Sequence, residues 1–284
     1  MNYQNSRTSV LKSGLFLFCT LIFQTATQAQ SVLLTDATYN RILSLSITTG
    51  NVEELVLDNL GFPWRIFSDA GTGKMYWTNV DKNLIQQAAP DGSQVETLAI
   101  VTYPQGIVVD SKRKYIYVAE AGTPQILRFD LQGGNETVLM DEDLLDPDDI
   151  HLDAEDQLLF WIDHGLGGIR RSTTLGQKRM TLAQGDVTAI AIDSKKKLIY
   201  WMAGATGEIS SMNYFGREMK PLFPGTGHTY SGLALDENGE NLFRVNMTEG
   251  VVQKLELRTG ILTHYEIDLP GNFHYGITYL PEKK

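Results

Sequence analysis

The chain has 284 residues, 42% of them hydrophobic and 20% charged, which is enough to bury a sizeable core and unlike a disordered or collagen-like polymer. Its 26 glycines, 10% aromatic content and abundant Val, Ile and Thr argue against a helical bundle. The net charge of −10, with no basic cluster to neutralise phosphates, excludes nucleic acid as an expected partner and favours cationic ligands or peptides.

In chain order the first segment reads as a leader. Arg7 and Lys12 precede the apolar stretch Leu15 to Phe23, broken only by Cys19 and Thr20, and small residues at Ala26 and Ala29 follow. That order of positive, apolar and small residues is the pattern of a secretory signal, and the apolar run is short for a membrane span. Bulky Phe18 ahead of Cys19 speaks against lipoprotein processing. Residues 1–29 are therefore expected to be a cleaved signal peptide, residues 30–284 the mature domain, and its location extracellular or periplasmic. Cleavage removes two positive charges, taking the net charge from −10 to −12, and removes the only cysteine. A secreted domain without disulfides must be held by its own core or by closure of its sheets.

From residue 32 onward the sequence repeats itself. An apolar–aromatic run ending in a polar residue occurs as Val32-Leu33-Leu34-Thr35-Asp36, Met75-Tyr76-Trp77-Thr78-Asn79, Ile116-Tyr117-Val118-Ala119-Glu120, Leu159-Phe160-Trp161-Ile162-Asp163, Ile199-Tyr200-Trp201-Met202-Ala203 and Leu242-Phe243-Arg244-Val245-Asn246. The last members are 43, 41, 43, 40 and 43 residues apart. Nine residues after the second member of each run stands a branched aliphatic, Ile42, Ile85, Ile126, Ile169, Ile209 or Val252. Sixteen or seventeen residues after it comes a turn glycine, Gly50, Gly92, Gly133, Gly176, Gly216 or Gly260. A β-branched strand ending in Asp lies upstream, as in Gly106-Ile107-Val108-Val109-Asp110 and again up to Asp153, Asp193 and Asp236.

Each unit thus reads as four short strands joined by turns, and six units account for nearly the whole mature chain. A single four-stranded sheet cannot bury both its faces, so six sheets arranged radially, each covering the next, satisfy the pattern. The first unit lacks its leading strand, which reappears at the far end as Tyr275-Gly276-Ile277-Thr278-Tyr279-Leu280. The expected fold is all-β, a six-bladed β-propeller of four-stranded antiparallel sheets closed by pairing of the N- and C-terminal strands.

Met75-Tyr76-Trp77-Thr78-Asn79, Ile85, the Asp91-Gly92 turn and Gly106 to Asp110 resemble the Tyr-Trp-Thr-Asp repeat of the low-density-lipoprotein-receptor class B propellers. No copy is a full Tyr-Trp-Thr-Asp, and Arg244 replaces the Trp in the sixth. The resemblance implies a six-bladed, extracellular, non-enzymatic module that binds a protein or peptide on one face, without a cofactor and as a monomer. The motif aromatics are expected to be packing, and Asp110, Asp153, Asp193 and Asp236 to cap turns.

In a propeller the face where the channel opens is built by residues just before the innermost strand and just after the second. That rule puts Trp64, Tyr103, Asp148, His228, Tyr230, His274 and Tyr275 in the first set, and Asp36, Asn79, Glu120, Asp163, His164 and Asn246 in the second. The expected ligand-binding rim is Trp64, Tyr103, Asp148, His164, His228, Tyr230, His274 and Tyr275, an aromatic and acidic set suited to a basic or amphipathic peptide. An alternative uses the same loops differently. Six-bladed propellers of the gluconolactonase type hold calcium over the channel, and Asn79, Glu120, Asp163 and Asn246 supply hard oxygen donors for a Ca2+-dependent lactonase-like hydrolase. Two glycosylation sequons begin at Asn135 and Asn246.

Overall fold

The computed structural model describes residues 30–56, 60–267 and 274–281; the expected leader lies outside them. Every regular element among the described residues is a strand. Blade 1 contains β1 (Ser31–Asp36), β2 (Arg41–Ser46) and β3 (Val52–Val56). Blade 2 is β4 (Pro63–Asp69), β5 (Lys74–Asn79), β6 (Leu84–Ala88) and β7 (Glu96–Ile100), and blade 3 is β8 (Pro104–Asp110), β9 (Tyr115–Glu120), β10 (Gln125–Asp130) and β11 (Thr137–Met140). Blade 4 follows as β12 (Pro147–Asp153), β13 (Leu158–Asp163), β14 (Ile169–Thr173) and β15 (Met180–Ala183). Blade 5 is β16 (Val187–Asp193), β17 (Leu198–Ala203), β18 (Ile209–Asn213) and β19 (Lys220–Phe223). Blade 6 is β20 (Tyr230–Leu235), β21 (Asn241–Asn246), β22 (Val251–Glu256) and β23 (Leu262–Glu266), and β24 (His274–Leu280) returns to blade 1.

Each blade is one four-stranded antiparallel sheet, and blade 1 has the order β24-β1-β2-β3. The seam pairs Val32 with Tyr279, Leu33 with Thr278 and Leu34 with Ile277. The ring is therefore closed by the first and last strands, as the displaced repeat requires. Six separate hydrophobic clusters fill the six gaps between neighbouring blades. Tyr76, Trp77, Tyr117, Phe160, Trp161, Tyr200 and Phe243 are all buried in these gaps, and Trp201 is half-buried. Each large apolar side chain removed from water in this way stabilises the fold by roughly 1.5–3 kcal/mol. The repeated aromatics are thus the material that joins one sheet to the next.

The acids that end the innermost strands cap the following turns. Asp69 accepts from the Thr72 amide at 2.6 Å, Asp110 from Arg113 at 3.0 Å, Asp153 from Asp156 and Asp193 from Lys196 at 2.9 Å, and Asp236 from Glu240 at 2.8 Å. Several also tie blades together. Ser111 Oγ donates to Asp69 at 3.1 Å, and Lys197 Nζ to Asp153 at 2.8 Å.

The turn glycines divide by their spacing. Gly92, Gly133, Gly176 and Gly216 stand sixteen residues after the second motif member. Each packs so closely on the outer strand of the preceding blade that a Cβ would overlap the carbonyl oxygen of Leu55, Leu98, Leu139 or Leu182, respectively. Gly50 and Gly260, at seventeen, close longer turns in which an added Cβ would meet nothing within 4 Å. One added residue moves the glycine clear of the neighbouring blade.

Candidate functional site

The strand direction places the loops from second to third strand, and from fourth strand to the next blade, on one face of the ring. This face is the channel mouth. Every innermost strand begins there with a register shift, at Pro63/Ile66, Pro104/Ile107, Asp148/His151, Val187/Ala189 and Ser231/Leu233, and at the seam between Leu34 and Asp36. A bulge of this kind re-aims side chains at the end of a ladder. Counting back four residues from the terminal Asp of each inner strand gives one repeat position, occupied by Arg65, Gly106, Asp149, Ala189 and Gly232. Its counterpart in β24 is Gly276. Four blades are small here, and two carry opposite charges.

Those two charges meet across the mouth. The Arg65 guanidinium, nearly buried, donates Nε–H to Asp148 Oδ1 at 3.0 Å and Nη2–H to Asp148 Oδ2 at 2.6 Å, and its Nε lies 3.8 Å from Asp149. Nη2 also reaches the Thr188 carbonyl on β16 at 3.5 Å. Arg65 thus connects blades 2, 4 and 5 through the centre of the ring. Asp149 accepts the Ile190 amide at 2.8 Å, and imidazoles flank the pair, His164 Nε2 at 3.3 Å from Asp148 and His151 Nε2 at 3.3 Å from Asp149.

Electrostatics follow from this geometry. Burial opposes ionisation of Asp148, but Arg65 and His164 outweigh it and hold the carboxyl far below the ordinary carboxylate range. Burial by itself would lower the Arg65 pKa; Asp148 and Asp149 reverse that and raise it. The hydrogen bond to Asp148 raises the His164 imidazole pKa. Asp146, whose pKa is raised by burial, accepts Gln105 Nε2 at 2.9 Å beside this cluster. Beneath the Arg65 bridge a cavity of about 270 Å³ runs between the inner strands, with Ile107, Ile150, Leu233 and Ile277 among its walls.

The structure distributes the expected rim residues unevenly. Tyr103 is 51% exposed on the mouth face. Trp64 is half-buried and stacks on Phe62, with centroids 5.9 Å apart. His164 is exposed, and His228 is half-buried with Nε2 3.8 Å from Glu249. Asp148 is buried inside the Arg65 bridge and presents no free carboxylate. Tyr230 is also buried: Arg244 lies over its ring at 3.9 Å, so Tyr230 belongs to the gap between blades 5 and 6, not to an exposed rim. The side chains of His274 and Tyr275 lie outside the described residues. Arg65, Asp149 and His151 were absent from the expected set. The signal for Arg65 and Asp149 was available as the one repeat position where a lone Arg and a lone Asp interrupt glycine and alanine.

The four oxygen donors considered for calcium are engaged elsewhere. Asp163 accepts the amides of Leu145, Asp146 and Leu166 at 3.1, 3.2 and 2.8 Å, and Asn246 Oδ1 those of Thr248 and Glu249 at 3.0 and 3.1 Å. Asn79 Oδ1 caps Lys82 at 3.2 Å, and Glu120 accepts from Gln125. Calcium requires six to eight convergent oxygens, whereas these are turned to groups of their own turns and, for Asp163, of the loop before β12. Among the described residues no group of three or more His, Cys, Asp or Glu is placed to hold a metal ion. These donors do not fit the ion. The second sequon is likewise closed off, because Asn246 is fully buried and its Nδ2 donates to Glu249 at 2.8 Å, while Asn135 is exposed in a turn.

The geometry defines a closed six-bladed propeller with an electrostatically bridged mouth, and comparison with known proteins agrees on the propeller. No family profile matches the chain. Human low-density lipoprotein receptor-related protein 5-like protein is 28% identical over 147 residues, which is 50% of this chain and 58% of that protein. The match therefore spans little more than half the length of the curated relative. A chain in the crystal structure of a nidogen/laminin complex superposes with TM-score 0.79 at 20% identity, covering 88% of this chain and 98% of that one. Streptogramin B lyase superposes with TM-score 0.63 at 16% identity, covering 87% and 83%. At such identities the structural likeness shows the fold alone. Motif, ring and relative together make the chain similar to the propellers of the low-density-lipoprotein-receptor class B, or YWTD, repeat type.

Proposed function

We propose that this propeller is an extracellular, non-enzymatic module that binds a basic segment of a protein or peptide across its channel mouth. The observation that carries the reading is the charge of the mouth-face loops. Among the described residues they hold eight carboxylates, Asp81, Asp186, Glu208, Glu249 and the cluster Asp141, Glu142, Asp143 and Asp146, against one lysine, Lys82. Arg179 of blade 4 approaches the cluster, donating to the Glu142 carbonyl at 2.9 Å, with Nη1 3.9 Å from Asp143. Asp143 nevertheless remains 86% exposed. Exposed apolar groups, Tyr103 and Leu145, stand on the same face, on blade 3 and on the loop leading into blade 4. Apolar anchors supply desolvated area, while the surrounding acids steer a cationic partner and set its orientation. The leader pattern and the YWTD-type repeat support action outside the cell.

The test uses fluorescence anisotropy with labelled amphipathic peptides of matched hydrophobicity, one Lys-rich and one Glu-rich. The Lys-rich peptide should bind, with an affinity that falls as salt rises. Tyr103→Ala with Leu145→Ala should weaken binding at least tenfold at unchanged melting temperature, and Asp141→Lys with Asp143→Lys should slow association. Equal binding of both peptides, or no effect of either pair of substitutions, would overturn the reading.

A further inference from the structure

We propose that the outer hairpin tips of blades 4 and 5 form a docking site for an anionic lipid bilayer. Blades 2 to 5 share one outer turn, in which the glycine amide donates to the carbonyl three residues back, at 2.9 Å for Gly92, 3.0 Å for Gly133, 2.9 Å for Gly176 and 3.0 Å for Gly216. The residue before the glycine is Asp91 in blade 2 and Gln132 in blade 3, but Leu175 in blade 4 and Phe215 in blade 5. The turn closes equally on polar residues, so folding does not require the Leu and Phe. Both nevertheless project into solvent, 61% and 63% exposed.

The blade 5 tip meets the outer strands of blade 4. Arg171 on β14 donates to the Tyr214 carbonyl at 2.7 Å and to Met180 Sδ at 2.8 Å, and its guanidinium lies 5.3 Å from the centroid of the Phe215 ring. Met180 and Met219 extend the exposed apolar surface, at 39% and 52%. Charge changes with it. The seven residues spanning each tip, 174–180 and 214–220, contain four cations and one acid, Glu218. The matching segments of blades 2 and 3, 90–96 and 131–137, contain three acids and no cation. Among the described residues Lys178, Arg217 and Lys220 form no ion pair with the protein.

The shape and charge favour a bilayer over a protein. These turns expose apolar side chains with cations beside them, the arrangement that inserts at a lipid interface and places ammonium and guanidinium groups among anionic headgroups. Protein hot spots instead centre on packed pockets. Arg179 of the blade 4 tip is engaged by the Glu142 carbonyl at 2.9 Å and lies 3.9 Å from Asp143, so the tip cations that would meet the headgroups are Lys178, Arg217 and Lys220.

Flotation of the purified chain with vesicles of phosphatidylcholine alone, and of phosphatidylcholine mixed with phosphatidylserine, tests the proposal. The chain should float only with the mixed vesicles and lose binding as salt rises. The double variant Leu175→Asp, Phe215→Gln mimics the polar tips of blades 2 and 3 and should partition at least tenfold less with the same melting temperature. Both proteins share every other residue, so vesicle affinity elsewhere in the chain cancels. In a third protein, Phe215→Trp, emission should shift to the blue on adding mixed vesicles. Unchanged flotation of the double variant, equal flotation with both vesicles, or no shift would overturn the proposal. So would capture by polyglutamate beads without flotation, which would make the partner an acidic polypeptide.

Discussion

Arg65 and Asp148, 83 residues apart in the chain, form a bidentate pair across the channel mouth with both side chains largely withdrawn from water. Such a pair stabilises little relative to apolar side chains of similar size, but removing one partner strands a buried charge. Arg65→Met is therefore expected to lower unfolding free energy by about 3–5 kcal/mol, and Arg65→Met with Asp148→Leu to recover most of the loss. Urea titration of the single and double variants measures the coupling. Additive single effects would show that the two groups do not act as a unit.

The imidazole of His164 adds a pH dependence. Its folded pKa lies above the ordinary value of about 6.5, chiefly through the hydrogen bond to Asp148. Its stabilisation is thus full below about 6.5 and is lost as pH rises through the raised folded value. Asp148 behaves oppositely: its depressed pKa contributes stability above the ordinary carboxylate value of about 3.9, lost as pH falls through the lowered one. The advantage of the wild type over His164→Gln should therefore be largest between those two ordinary values and shrink towards pH 9. The side chain of His164 is 35% exposed, so the effect is screened and should stay below about 1 kcal/mol. Titration of the His164 ring proton by NMR checks the direction. A midpoint at or below that of a free histidine would contradict it.

Gly133 and Gly260 separate backbone strain from blade packing. Both have positive φ, 80° and 72°, so alanine at either costs about 1–2 kcal/mol. Only at Gly133 does the new Cβ also strike a neighbouring blade, at the Leu98 carbonyl. Gly133→Ala should therefore destabilise by about 1–3 kcal/mol more than Gly260→Ala. Thermal unfolding of the two variants provides the comparison, and equal losses would mean that the blades part at little cost.

Blade 6 shows how far local pattern carries. Trp77 Nε1 donates to Gln86 at 3.2 Å, and Arg244, at the same repeat position, donates Nε–H to Gln253 at 2.9 Å, nine residues on in both cases. The repeat therefore identified the slot even where the residue changed. It did not show that Arg244 would also bond the Gly207 carbonyl at 2.6 Å and cover the Tyr230 ring, which removes Tyr230 from the mouth. β4 shows the converse. Its Pro63-Trp64-Arg65-Ile66-Phe67-Ser68-Asp69 lacks the aliphatic run of the other inner strands, so its place in the ring followed from spacing while the role of Arg65 did not.

Sequence by itself determined the number of blades, their strand order and the seam, because each depends on which residues must be buried and at what interval. Sheet covering is a short-range demand repeated every 40 to 43 residues. The chemistry of the mouth was decided only in three dimensions. A bulge at the head of each inner strand shifts which of two adjacent residues faces the axis, so alternation cannot identify it. The partners that meet there come from blades two and three places apart, joined by charge and hydrogen bonding at distances that no repeat period encodes.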